Sequence, residues 1–108
     1  MPLKTSVIGA WPKPSSLSLP DWFTVGNQGC YDIRQMTKAM GDLGPVETEK
    51  LVHEAIRDVI KKQTDLGIDV ITDGEIGREA YYLYFCRNLD GLDMENLLPK
   101  SMRSGKFV

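Results

Sequence analysis

An α/β fold that opens with a parallel βαβ unit is predicted by three features of this 108-residue chain. A short apolar run near the start, "TSVIGA", is bounded by Gly9 and by Pro12 and Pro14. A long amphipathic stretch follows in the middle. Directly after a glycine comes "IDVIT", a β-branched run that ends in Asp73-Gly74. Strand, helix and strand in that order, with a tight turn from helix into strand, form a parallel crossover unit.

The first strand is expected over residues 4–8. The stretch after it, "WPKPSSLSLPDWFTVGNQG", is rich in proline, serine and glycine without a sustained period, and reads as a long ordered loop with one short turn of helix. A loop of that length in a compact domain usually has a task. Over residues 30–40, Ile33, Met36 and Met40 recur at three- and four-residue steps, as one face of a short helix requires, and Gly41 and Gly44-Pro45 are expected to break it.

The strongest helix carries Leu51, Val52, Ala55, Ile56, Val59, Ile60 and Gln63 on one stripe, with Lys50, Glu54, Arg57, Lys61 and Lys62 opposite. Glu47 and Glu49 at its start and lysines at its end suit the helix dipole, and Gly67 supplies the left-handed residue that closes many helices. The second strand is "IDVIT". A third helix is expected in "EAYYLYFCRNL", with Tyr81, Tyr82, Tyr84 and Phe85 as a bulky apolar side. The tail carries turn signals, and Lys106-Phe107-Val108 looks like the start of a further strand.

Composition narrows the function classes. Hydrophobic residues make up 42% and charged residues 26%, which is usual for a soluble globular domain. The net charge of −2 gives no basic field for nucleic acid. No apolar run reaches the ~20 residues of a membrane helix, and the N-terminal segment lacks signal-peptide features, so a cytoplasmic location is expected. Cys30 and Cys86 have neither Cys-x-x-Cys nor Cys/His spacing around them and are expected as free thiols.

Two parallel strands with their helices leave open edges and only part of a core. The 108 residues are therefore expected to form the opening portion of a larger α/β fold, or to complete their core by association, for example as a homo-oligomer.

In such folds ligands gather at the strand C-termini. The loops leaving those ends are "GAWP" and "DGEIGRE". Glu75 could accept hydrogen bonds from an amino group, and Arg78 could take a carboxylate in a two-pronged contact. Asp73 and Glu75 also have the makings of an acid/base pair or of oxygen ligands, and all of these charges could equally solvate the loop and pair with one another. Gly74 suits a positive φ as readily as a close ligand approach. Trp11 could wall a pocket or pack against its loop. His53 lies at the edge of the polar helix face, where a solvated role is expected, and Met36, Met40 and the tyrosines are expected to fill core. No Gly-rich phosphate loop, Gly-x-Ser-x-Gly or His-Glu-x-x-His occurs.

The segments "TSVIGAWPKP", "EAIRDVIKKQTDLGIDVITDGEIGRE" and "YYLYFCRNLDGL", in that order, resemble the opening of the catalytic barrel of the cobalamin-independent methionine synthase family. The resemblance implies a TIM (β/α)8 barrel, for which ~250 residues are typical, so that residues 1–108 would form a single partial barrel domain. It implies a methyltransferase in which a zinc-bound homocysteine thiolate takes a methyl group from a folate-type donor, giving methionine. It places the backbone of Ile8, Gly9 and Ala10 beside homocysteine and the substrate's amino group on Glu75. Trp11, Asp73, Gly74 and Arg78 would support that site.

Ala10 stands where the family often has serine, which leaves another small thiol open as substrate. The family's zinc ligands, a His-x-Cys pair and later residues, match none of His53, Cys30 and Cys86. No catalytic or metal-binding residue is therefore assigned here, and the 108 residues by themselves are expected to be inactive. A non-catalytic protein that keeps the framework for assembly is the alternative.

Overall fold

The computed structural model describes residues 3–21, 23 and 32–98. Three helices organise them: α1 (Ile33–Leu43), α2 (Pro45–Asp65) and α3 (Tyr81–Cys86). Asp32 caps α1 by accepting from the backbone N–H of Arg34 at 2.9 Å. The helix runs through Gly41 and stops at Gly44, so only the second of the two expected breakers acts. An exposed glycine in a last turn costs about 1 kcal/mol, too little to end a helix whose Ile33 and Met36 are buried.

Gly44 serves both helices. At φ 81 it closes α1, donating to the Met40 carbonyl at 2.9 Å, and turns the chain so that Pro45 starts α2. The start of α2 lies six residues ahead of the apolar stripe, because proline at the first helical position sacrifices no hydrogen bond. Its end follows the expected pattern in detail. Gly67 has φ 74, its N–H donates to the Thr64 carbonyl at 3.0 Å, and the Ile68 N–H donates to the Gln63 carbonyl at 3.1 Å.

The core lies between α1, α2 and the loops. Met36, Ala55, Val59 and Ile76 are buried with Leu17 and Leu19, and Trp11, Met40, Leu51, Val52 and Ile56 pack around them. The proline-rich loop thus contributes two core leucines, each worth roughly 1.5–3 kcal/mol when fully buried. A second cluster joins Ile33 to Ala80 and Leu83 of the α3 region.

The two expected strands meet at one parallel bridge, Ser6 to Val70. The Val70 N–H donates to the Thr5 carbonyl at 3.0 Å, and the Asp69 carboxylate accepts from the Thr5 N–H and hydroxyl at 2.8 and 2.9 Å. The parallel direction agrees with expectation, yet among the described residues neither run extends into a strand. Ile8 is 99% exposed and Val70 and Ile71 are also exposed, so among the described residues no facing layer covers this pair.

The third helix departs more clearly. It spans six residues instead of eleven, and Tyr81, Tyr82, Tyr84 and Phe85 face outward while Leu83 is buried. Two of these tyrosines carry arginines on their rings, Arg78 over Tyr81 at 5.1 Å and Arg87 over Tyr84 at 4.9 Å. Of the methionine and tyrosine positions expected in the core, Met36 and Met40 pack there and the tyrosines of α3 do not. His53 is exposed on α2, as expected. Cys30 and the expected strand at residues 106–108 lie outside the described residues.

Candidate functional site

The loop after the second extended run is built by short-range polar contacts. Gly74 has φ 66 and Glu75 has φ 55, so two successive residues occupy the left-handed region. Glycine enters it freely, whereas a glutamate there is strained by its Cβ. The turn is held at each step. The Thr72 hydroxyl accepts from the Gly74 N–H at 3.2 Å, the Asp73 carboxylate accepts from the Glu75 N–H at 2.9 Å, and the Glu75 carbonyl accepts from the Arg78 N–H at 3.2 Å. Backbone strain of this kind gathers at functional sites.

Gly74 has a second reason to be glycine. A Cβ at that position would lie 2.8 Å from the Val59 side chain and 3.1 Å from that of Trp11. The close approach at Gly74 is therefore made by the protein's own side chains. Trp11 packs against the core, and its N–H donates to the Gly74 carbonyl at 2.8 Å. That bond ties the loop after the first extended run to the loop after the second. Lys13 adds a further tie, its ammonium donating to the Arg78 carbonyl at 2.9 Å.

These ties create a cleft of about 280 Å³ lined by Ala10, Phe23, Glu75, Arg78, Glu79, Ala80 and Tyr81. Inside it Arg78 forms an ion pair with Glu75. The hydrogen bond that Arg78 donates to the Glu75 carboxylate raises the Arg78 pKa above its ordinary value, against the smaller opposing effect of desolvation. The same pair borders a second hollow of about 250 Å³, with Asp73, Gly77 and Tyr84.

Among the expected site residues, Ala10, Glu75 and Arg78 thus share one cleft, and Asp73 and Gly74 shape the turn that presents Glu75. Gly9, at φ 90, and Ile8 lie just before Ala10, with the Ile8 side chain pointing into solvent. Trp11 supports the cleft from behind without lining it.

Glu79 lies beside these residues, although the sequence pattern assigns it no role. It is 1% exposed and borders the cleft. The Arg87 guanidinium donates to its Oε1 at 3.2 Å, and Oε2 is buried with no hydrogen-bond partner. An acid and an arginine eight residues apart match no local spacing rule, so only the fold reveals the pair.

The zinc that the family resemblance implies for a complete enzyme does not fit the described residues. No group of three or more His, Cys, Asp or Glu side chains comes together among them. His53 is on the exposed face of α2, and Cys86 packs against the Ile33, Ala80 and Leu83 cluster. No helix of the described residues is long and apolar enough to cross a membrane.

Comparison with known proteins shows the family. Residues 3–104 match the family model described as the catalytic domain of cobalamin-independent synthase. The chain is 32% identical over 92 residues to a 5-methyltetrahydropteroyltriglutamate–homocysteine methyltransferase from Mycolicibacterium paratuberculosis, covering 83% of this chain and 10% of that protein. A methyltransferase of the same name from Corynebacterium efficiens is 32% identical over 90 residues, with the same two coverages. The uncharacterized protein YxjH of Bacillus subtilis is 32% identical over 56 residues, 52% of this chain and 15% of that protein. The chain thus spans only a small part of the curated relatives it matches, 10–16% of their length. No solved structure matches it significantly.

Proposed function

Because the chain belongs to the family of the cobalamin-independent synthase catalytic domain, we propose that it supplies the amino-acid-binding part of a methyltransferase site, in which homocysteine takes a methyl group from a folate-type donor to give methionine. The family's catalytic domain is a TIM barrel, and residues 1–108 correspond in this reading to its opening portion. The observation that carries the proposal is that Ala10 and Glu75, 65 positions apart in the chain, line one cleft.

In this reading the backbone of Ile8, Gly9 and Ala10 borders the substrate, and the Glu75 carboxylate accepts hydrogen bonds from its ammonium. Asp73 holds the left-handed turn, the Trp11 to Gly74 hydrogen bond sets the separation of the two loops, and Arg78 orients Glu75 from beside it. Ala10 offers no hydroxyl, so the substrate's carboxylate must be met by backbone N–H groups or by an arginine, and a different small thiol remains compatible with the site. Zinc, where the complete site holds it, would activate the thiol; its ligands are not among the residues assigned here.

Calorimetric titration of L-methionine into the chain and into its Glu75→Gln variant tests the proposal. A charge-assisted hydrogen bond is worth about 1.5–3 kcal/mol, so weakening of roughly tenfold or more is expected. Unchanged affinity would remove Glu75 from the amino-group role.

The non-catalytic assembly reading draws support from one observation, the exposure of Ile8, Val70 and Ile71 around the Ser6 to Val70 bridge. A homo-oligomer that covers this face is its expected product. Light scattering showing a stable monomer at micromolar concentration would count against it.

A further inference from the structure

The carboxylate of Glu75 is already engaged by a cation of the same loop. Arg78 Nη2 forms an ion pair with Glu75 Oε1. The guanidinium also lies over the Tyr81 ring at 5.1 Å, among the residues that line the cleft. Both partners are largely shielded from water, with 29% of the Arg78 side chain and 22% of that of Glu75 exposed. A carboxylate held in this way is a poor partner for a second cation. An ammonium brought to Glu75 with Arg78 in place would meet a neutralised acceptor and a like charge beside it, within about 280 Å³.

The surroundings give the guanidinium a second position. The Arg78 backbone is fixed, because its N–H donates to the Glu75 carbonyl at 3.2 Å and its carbonyl accepts from the Lys13 ammonium at 2.9 Å. Its side chain also borders the hollow of about 250 Å³ that Asp73, Gly77 and Tyr84 line. Asp73 accepts the Glu75 N–H through Oδ1, and an ionised carboxylate has lone pairs for further donors. The Arg78 pKa is raised by its hydrogen bond to Glu75 above all, and the charge of Asp73 adds to the rise. Rotation about the side-chain bonds of Arg78 therefore carries the guanidinium from one acid toward the other with the backbone at rest.

We infer that the Glu75–Arg78 ion pair is an autoinhibitory latch: Arg78 masks the Glu75 carboxylate, and a ligand's ammonium takes its place as the guanidinium moves over to Asp73. This rests on the reading that Glu75 receives an amino group. With the latch closed, Arg78 keeps Glu75 in position on its left-handed turn. Affinity for the ligand is reduced by the fraction of molecules in which the latch is open.

Calorimetric titration of L-methionine into the full chain and into its Arg78→Gln, Asp73→Asn and Glu75→Gln variants tests this. Arg78→Gln removes the masking charge and is expected to bind roughly two- to fivefold more tightly, the worth of a partly exposed ion pair. Asp73→Asn keeps an acceptor for the Glu75 N–H but removes the charge that receives Arg78, and is expected to bind more weakly; unchanged binding there overturns Asp73 as the receiver. Equal or weaker binding by Arg78→Gln, with Glu75→Gln weakened, overturns the latch alone. Unchanged affinity in Glu75→Gln, or no binding by any of the proteins, removes the amino-group role and the latch together. One measurement does not depend on a variant folding: in wild-type protein labelled with 15N-arginine, the Arg78 Nε–H resonance should shift on saturation with L-methionine. A resonance that stays still overturns the inference.

Discussion

The side chain of Gln63 completes the backbone hydrogen bonding of Thr72. Its amide nitrogen donates to the Thr72 carbonyl at 2.8 Å, and its carbonyl accepts from the Thr72 N–H at 2.9 Å. Gln63 is fully buried on α2 and also donates to the Val59 carbonyl at 3.1 Å. A helix side chain thus does for the second extended run what a neighbouring strand would otherwise do, immediately before the turn that presents Glu75. Gln63→Leu preserves bulk and removes all three bonds, and it should destabilise the protein by about 2–4 kcal/mol, since the two half-buried backbone groups of Thr72 lose their partners. Urea unfolding measures this. A loss below 0.5 kcal/mol would show that water replaces the amide at no cost.

Gly74→Ala and Gly91→Ala should differ. Both glycines have positive φ, 66 and 86, but a Cβ at Gly74 would meet Val59 at 2.8 Å while one at Gly91 meets nothing within 4 Å. Backbone strain alone costs about 1–2 kcal/mol. Crowding in the core adds about 1–3 kcal/mol, at Gly74 only. Thermal or urea unfolding of the two variants should therefore rank Gly74→Ala well below Gly91→Ala, and equal stabilities would refute the close packing of Trp11 and Val59 on this turn.

Acid should weaken the contact between the two extended runs. The Asp69 carboxylate accepts from the Thr5 N–H, and that bond, with the Thr5 hydroxyl, lowers its pKa below 3.8. A depressed folded pKa means that the contribution to stability is complete above the unfolded value and is lost as pH falls through the folded one. The stability difference between wild type and Asp69→Asn should accordingly be constant from neutrality to about pH 5 and shrink below pH 3.8. A difference that persists undiminished to pH 2 would exclude the ionised carboxylate as the acceptor that matters.

No methyl transfer to homocysteine is expected from the 108 residues alone, with zinc and a methyltetrahydrofolate supplied. The described residues bring no zinc-ligand set together, and a thiol without a metal stays largely protonated at neutral pH. Turnover at ordinary enzyme rates, at least ~1 per second, would refute this, and quantifying methionine after incubation is sufficient to detect it.

Legibility followed the range of each interaction. The α2 stripe and the Gly67 cap were readable, because each depends on residues a turn apart, whereas the expected strands at 4–8 and 68–72 meet at the single Ser6 to Val70 bridge. The outward aromatics of α3 were not. Their exposure follows from where Leu83 and Ala80 meet Ile33, and from two arginines that use the rings as platforms. Glu79 was visible in the sequence as one more charge in "GEIGRE"; its burial against Arg87 depends on a contact that no spacing rule contains.

By itself the sequence determined the α2 framework through its helical period, and the resemblance of three of its segments to a known family implied the family and drew attention to Glu75. Tertiary structure decided the rest of the site. It assigned the glycine at 74 to the bulk of Trp11 and Val59, paired Glu75 with Arg78, and left one oxygen of Glu79 without a partner. The reason is physical: helix periods and caps are local free energies written along the chain, whereas burial and the pairing of charges depend on which distant surfaces meet.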